Sequence, residues 1–336
     1  MVRPTRVALA LGAGGARGYA HIGVIDVLEQ RGYEIISISG TSMGAVIGGL
    51  HAAGRLDAYS DWVRTLSQRD VLRLLDPSLT APGAIRADKI LAVVADLLGG
   101  ARIEELPIAF TAVATDLLAG KEVWFQRGPV DAAIRASIAL PSFISPVMLN
   151  GRLLVDGGLL NPVPVAATVA SSADLTIAVS LSDAPFTSPG TAPVHTTSEP
   201  LPSEHRPDRV RDTVSNLLDR DLMRTLASWL ANQDGPGDRG EHGSGATDQQ
   251  PGLDQLEEEL FGEPPAGMRT VDVMRLSLQA LQSVVTRYRL AGYPPDVLIT
   301  IPKTSCRTLD FHRAEEMIAL GAERTTAELD RQAPVG

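Results

Sequence analysis

The 336-residue chain has little cysteine, few aromatic residues and no excess of basic charge. Its single cysteine, Cys306, excludes an internal disulfide and a cysteine-rich metal site. The formal net charge is -10, and residues 183–336 carry 15 basic against 24 acidic side chains. Because phosphate backbones require a basic surface, this balance argues against a nucleic-acid partner. It also argues against purely electrostatic docking on anionic lipid.

The chain also lacks a long uninterrupted apolar run. Its most apolar stretch, residues 35–53, contains several glycines and two predicted elements, so we do not expect it to span a membrane. Residues 1–6 carry two arginines, but no hydrophobic signal-peptide core follows them. These absences predict a cytoplasmic protein. They leave open a peripheral contact with the inner membrane face through apolar side chains.

Strand-like and helix-like segments alternate through residues 6–182, which predicts a mostly parallel sheet covered by helices on both faces. Asp116 is expected to cap the turn after one of the strands. The predicted strands are 6–11, 35–39, 107–114, 122–126, 152–155 and 175–181, and the predicted helices include 19–30, 87–98, 130–137 and 163–170.

Composition changes after residue 182 and predict three regions. Residues 6–182 form the first domain, and 183–267 form a low-complexity insertion, rich in proline, serine and glycine, that we expect to be partly disordered. Residues 209–231 within it have the apolar spacing of an amphipathic helix, which suits a core or lid position better than a bilayer surface. Residues 268–330 are predicted to add a helix, a strand and a closing helix that pack on the first domain.

The segment Gly40-Thr41-Ser42-Met43-Gly44 lies between an apolar β-branched run and a run of small residues with helical character. A G-x-S-x-G pattern between strand and helix predicts a nucleophile elbow, which raises the serine hydroxyl above the end of a sheet. The glycines suit an elbow because the neighbours of the strained serine must pack with almost no side chain. The pattern alone is weak, since a plain glycine-lined turn also matches it.

A glycine-rich turn, residues 12–18, follows the first predicted strand and precedes a helix. Such a turn presents backbone N–H groups to an anion, either a dinucleotide phosphate or the oxyanion of acyl transfer. Arg17 stands where the dinucleotide fingerprint requires a glycine, and no Gly-Lys-Ser/Thr sequence follows. Nucleotide binding is therefore disfavoured, and we expect no metal or organic cofactor.

A carboxylate ends another predicted strand, where Asp156 precedes Gly157 and Gly158. A serine hydrolase usually places a histidine between its serine and its carboxylate. The six histidines, among them His21 and His51, lie on predicted helices or in low-complexity segments, where a structural or solvated role is the simpler interpretation. We therefore interpret Asp156 as a base that acts directly on the serine hydroxyl.

Five ordered motifs resemble those of the bacterial patatin-like phospholipases, close to the neuropathy-target-esterase type. They are the glycine loop 12–18 continued by 19–23, the elbow 40–44, the segment 114–117, the segment 135–137 with Pro141 and Pro146, and the segment 153–158 followed by 161–164. The resemblance covers residues 6–182, with a fainter echo near 288–301 and 311–314.

The resemblance implies a three-layer α/β/α patatin-like domain that hydrolyses a lipid ester. It implies a dyad in which Ser42 is the nucleophile and Asp156 the base. It also implies an oxyanion hole formed by the N–H groups of Gly14 and Gly15, with Ala13 and Arg17 adjoining. Ala13 departs from the family, which usually has glycine there, and a methyl group is tolerated at this place if φ is negative.

Two other functions would use the same features. A lipid-sensing or regulatory protein without enzymatic activity would keep the fold, and an acyltransferase would use the same dyad with an alcohol in place of water. The intact serine, aspartate and glycine loop favour hydrolysis of a carboxylic ester in a lipid.

Overall fold

The computed structural model describes residues 3–75, 88–140, 144–182 and 270–332. The strands are β1 (Arg6–Leu11), β2 (Glu34–Thr41), β3 (Ala109–Asp116), β4 (Lys121–Phe125), β5 (Val147–Leu149), β6 (Arg152–Asp156), β7 (Leu175–Ser180) and β8 (Val297–Thr300). The helices are α1 (Ala20–Gln30), α2 (Met43–Ala52), α3 (Leu56–Arg64), α4 (Gln68–Leu75), α5 (Asp88–Leu98), α6 (Val130–Ser137), α7 (Thr270–Gly292) and α8 (Ala314–Gln332).

The eight strands of the described residues all belong to one sheet, in the order β5-β6-β3-β2-β1-β7-β8, with β4 paired to β3 outside that path. The centre is parallel, from β3 through β2, β1 and β7 to β8. The pairs β3–β4, β3–β6 and β5–β6 are antiparallel. The predicted mostly parallel sheet is confirmed, and its antiparallel part lies at one side.

Strand β3 extends three residues beyond the end of its neighbour β2, and this offset brings two chain segments together. Pairing with β2 ends at the partners Thr41 and Val113, while β6 pairs with β3 from Ala114 onward, where Ala114 faces Asp156. Strand β4 occupies the opposite edge of β3 over the same residues. The end of β6 therefore meets the end of β2, just before Ser42.

Helices cover both faces of the sheet. Successive side chains of a strand point to opposite faces, and in β1 the side chains on both faces are buried. Leu9 and Leu11 of β1 point into a large apolar cluster with side chains of α1, α2 and α8. Ala10, between them, points to the other face, where Val165 and Leu290 of α7 pack. These two layers and the sheet give the expected three-layer α/β/α architecture.

Three expectations from the sequence need correction or extension. The predicted helix 163–170 is only a short 3-10 helix, Val165–Thr168, because Pro162 and Pro164 interrupt its start. The sequence does not predict the edge strand β5. The closing helix, expected over 311–320, begins after the 3-10 helix Phe311–Arg313 and spans Ala314–Gln332.

Other expectations are met or lie elsewhere. Asp116 caps its turn as predicted, accepting the Ala119 N–H at 3.1 Å. The insertion 183–267, with the helix expected at 209–231, lies outside the described residues, and the three-region division stays a prediction. Within the described ranges, each helix is too short or too polar to cross a bilayer.

Candidate active site

Ser42 occupies the sharp turn between β2 and α2, with φ 56° and ψ -123°. A positive φ is rare outside glycine, and strain of this kind is characteristic of functional turns. The turn also demands glycines: a Cβ on Gly44 would lie 2.1 Å from the Leu11 carbonyl oxygen, and one on Gly40 would lie 2.3 Å from that of Gly44. The backbone thus holds the Ser42 side chain at the N-terminus of α2, where the helix dipole favours negative charge.

Ser137, the last residue of α6, fixes the backbone of the elbow. The Ser42 N–H donates to the Ser137 hydroxyl oxygen at 2.9 Å, and that hydroxyl donates to the Val113 carbonyl at 2.6 Å. Ser137 is fully buried, so this pair of bonds is shielded from water. The strained peptide at Ser42 is therefore supported from Val113 of β3.

Asp156, at the end of β6, is buried, and its carboxylate has two polar neighbours. Its Oδ1 accepts the Gly158 N–H at 2.7 Å, and the Ser42 side chain lies close enough to the carboxylate to lower its pKa. Its own N–H donates to the Ala139 carbonyl at 2.9 Å. A Cβ on Gly157 would lie 2.2 Å from the Val113 carbonyl oxygen, so the loop must approach β3 closely.

The electrostatics of Asp156 suit a general base. Burial raises the pKa of Asp156 from 3.8 to about 6, and the Ser42 side chain and the Gly158 N–H offset part of that rise. At pH 7 the group is mostly ionised, yet its basicity is close to the value at which proton transfer is most effective.

The glycine loop lies beside the serine. Gly14 precedes the 3-10 helix Gly15–Tyr19, and Gly15, with φ 57°, lines the same cavity as Ser42. Gly15 is required there, because a Cβ would lie 2.5 Å from the Thr308 carbonyl oxygen. Among the described residues, the N–H groups of Gly14 and Gly15 have no backbone acceptor, so both can bind an anion.

The two adjoining residues have other partners in the structure. The Ala13 N–H donates to the Pro162 carbonyl at 2.9 Å, so Ala13 is not an oxyanion donor in this conformation. Its φ is not positive, which agrees with the expectation that a methyl group is tolerated there. Arg17 lies within the 3-10 helix and its guanidinium donates to the Cys306 carbonyl at 3.1 Å, so its described role is to fasten the loop.

Neither of the two histidines near these elements contacts the Ser42 hydroxyl. His21 is fully buried, and burial lowers its pKa to about 4, so the ring is neutral at pH 7. Its Nε2–H donates to the Gly12 carbonyl at 2.8 Å, which steadies the glycine loop. His51 lies near the end of α2, about 14 Å along the helix from Ser42, and its Nε2 is 3.6 Å from Glu29 Oε1.

Ser42 opens onto an apolar cavity of about 110 Å³. Side chains from α2, α3 and α5 line it, including Val46, Tyr59 and Val94. Leu309, from the loop before α8, closes another side. A concave apolar site with one polar group at its edge is typical of a small-molecule or acyl-chain pocket.

Comparison with known proteins agrees with this geometry. The sequence model of the patatin-like phospholipase family matches residues 9–169. An NTE family protein of Mycobacterium tuberculosis is 49% identical over 330 residues, covering 97% of this chain and 91% of the relative. The chain belongs to the NTE family of patatin-like phospholipases.

Two further matches are more distant. The protein named lysophospholipase NTE1 of Yarrowia lipolytica is 31% identical over 191 residues, which are 54% of this chain and 13% of that protein. The crystal structure of VipD from Legionella pneumophila covers 98% of this chain and 67% of its own, at 15% identity and a TM-score of 0.41.

Several residues of this patatin-like protein escape a motif search. Ser137 belongs to one of the five sequence motifs, but its bond to the Ser42 N–H joins positions 95 apart. The Thr308 carbonyl accepts the Ala16 N–H at 2.9 Å, and Gln282 contacts the Asp156 loop. These last two contributors lie outside residues 9–169, so the C-terminal part of the chain helps to form the site.

Proposed function

We propose that this chain is a serine lipid acyl hydrolase that uses a Ser42–Asp156 dyad. The observation that carries the proposal is the placement of the Ser42 side chain beside a buried carboxylate whose pKa it lowers, at an elbow that opens onto an apolar cavity. Membership of a phospholipase family supports a lipid ester as the substrate.

In the first half of the reaction Asp156 accepts the proton of the Ser42 hydroxyl, and the Ser42 Oγ attacks the acyl carbonyl carbon. The N–H groups of Gly14 and Gly15 stabilise the negative oxygen of the tetrahedral intermediate, by about 3 kcal/mol for each donor. The protonated Asp156 then gives its proton to the departing alcohol, which leaves an acyl ester on Ser42.

In the second half Asp156 takes a proton from water, and the resulting hydroxide attacks the acyl ester. The fatty acid leaves, and the Ser42 Oγ recovers its proton from Asp156. A pKa of about 6 serves both halves, because the same group must accept and then release a proton near neutral pH.

The cavity and the relatives support a lipid ester as the substrate class. The apolar walls favour an acyl chain, because burying each CH₂ group gains about 0.8 kcal/mol. The Yarrowia relative is named a lysophospholipase, which makes a lysophospholipid the first substrate to test. A cytoplasmic location and peripheral membrane contact stay predictions.

Hydrolysis of p-nitrophenyl butyrate and of a lysophospholipid by purified protein tests the proposal. We expect turnover by the wild type, none above background by Ser42→Ala or Asp156→Asn, and wild-type turnover by His51→Gln. Loss of activity in a folded His51→Gln variant would instead point to an imidazole base. Analysis of products with and without added glycerol separates hydrolysis from acyl transfer, and inactivity on every ester would favour a lipid-sensing protein.

A further inference from the structure

Helix α7 contacts the loop that holds the Asp156 carboxylate. The side-chain Nε2 of Gln282 donates to the Gly158 carbonyl at 3.1 Å. The N–H of the same Gly158 donates to Asp156 Oδ1 at 2.7 Å. Gly158 is therefore fixed by the helix at one end and fixes the carboxylate at the other.

A second link from α7 reaches the elbow itself. Arg289, seven residues after Gln282 and so on the same side of the helix, pairs with Glu122 of β4. Glu122 Oε2 accepts the Asn161 Nδ2–H at 2.8 Å, and the Asn161 carbonyl accepts the Thr41 hydroxyl at 2.9 Å. Since Thr41 immediately precedes Ser42 in the chain, one face of α7 is linked to both members of the proposed dyad.

The contact at Gly158 adds a side-chain anchor to a loop that is otherwise held by backbone contacts, among them the bonds of the Leu160 and Asn161 N–H groups to the Gly157 carbonyl. Residues Gly157–Leu159 form a single 3-10 turn, and two of its three residues are glycines without side-chain packing. A catalytic carboxylate must stay within a few tenths of an ångström of its productive position, and displacement by 1 Å can cost about a hundredfold in rate. An anchor on the Gly158 carbonyl restricts such displacement.

We propose that Gln282 is a positioning residue, which holds the Gly158 peptide and through it the carboxylate of Asp156. This inference rests on the proposed role of Asp156 as the base. It assigns a part in the reaction to a helix outside the residues that the family model matches.

The variant Gln282→Met tests the inference, because methionine keeps the length of the side chain and removes the N–H donor. Gln279→Met, at an exposed position one turn earlier on the same helix, is the matched control. We expect Gln282→Met to lower kcat about tenfold with KM changed less than about twofold, while Gln279→Met behaves as wild type.

The pH profile distinguishes positioning from a mere loss of folded protein. Within the described residues, the pKa of Asp156 is set by its burial, by the Ser42 side chain and by the Gly158 N–H. No charged side chain is among these causes. A looser Gly158 weakens its hydrogen bond to the carboxylate, so the acid limb of kcat/KM should move to higher pH by about half a unit. A smaller fraction of folded enzyme would leave the limb in place.

Amide hydrogen exchange in the 157–160 segment gives a readout independent of activity. Faster exchange in Gln282→Met than in Gln279→Met supports the anchor. Equal exchange, equal kcat and an unmoved acid limb overturn it. If the wild type hydrolyses no ester, the proposed function fails, and the exchange rates alone then decide whether Gln282 holds this loop.

Discussion

The buried carboxylate of Asp156 should make the active protein less stable than an inactive variant. Burial raises the pKa of Asp156 from 3.8 to about 6 despite the opposing effects of the Ser42 side chain and the Gly158 N–H. A shift of about two units corresponds to ~3 kcal/mol of free energy that favours the protonated form in the folded state. This value is an upper bound on the stability that the protein can gain when the side chain at position 156 is made neutral.

The direction of the pH dependence follows from the linkage between protonation of Asp156 and folding. The folded-state pKa lies above the unfolded value, so the contribution of Asp156 to stability is fully present below pH 3.8 and is lost as pH rises through about 6. At pH 8 the wild type bears the full free-energy cost of burying an ionised carboxylate, and Asp156→Asn bears no such cost. Because the asparagine must rearrange its contact with Ser42, we expect half of the bound, about 1.5 kcal/mol, or about 3 to 6 °C in Tm.

Urea and thermal denaturation at pH 5, 6, 7 and 8 measure this difference. Asp156→Asn should exceed the wild type in stability at pH 8, and the gap should narrow toward pH 5. Asp61→Asn, at an exposed position on α3, controls for the loss of one negative charge. A variant that is less stable than wild type at pH 8, or a gap independent of pH, would refute the argument.

Three other predictions concern the elbow, the base and the cavity. The kcat/KM profile should rise with pH around a midpoint near 6, since Asp156 must be ionised to act as a base. Ser137→Ala should cost about 1 to 3 kcal/mol in a denaturation experiment and lower kcat, because it leaves the Ser42 N–H without its acceptor. Val46→Trp should fill the cavity and lower kcat/KM for octanoyl esters at least about tenfold relative to acetyl esters, as measured with a p-nitrophenyl series.

Local sequence predicts the elements that have strong local signals. Strand β1 and helix α6 have the predicted bounds. A continuous apolar run marks the strand, and a proline just before the helix marks its start. The short edge strand β5 has only three residues, too few to show a period. The 3-10 helix Val165–Thr168 resembles a longer helix in composition, and only its neighbouring prolines limit it.

The candidate site, too, could be predicted from the sequence only in part. The glycine loop, the elbow and Asp156 carry motifs, so their approach could be expected from the sequence. The supporting contacts could not, since Ser137 to Ser42, Gln282 to Gly158 and Thr308 to Ala16 join distant positions that meet only through the sheet topology. The engagement of the Ala13 N–H by Pro162 is of this kind too.

Labelling with a fluorophosphonate, followed by peptide mass spectrometry, tests the central claim most directly. We predict one adduct on Ser42 in the wild type, none in Ser42→Ala, and labelling slowed about a hundredfold or more in Asp156→Asn, which lacks the base. An adduct that persists in Ser42→Ala, or that lies on another residue of the wild type, would contradict the claim that the Ser42 hydroxyl is the nucleophile.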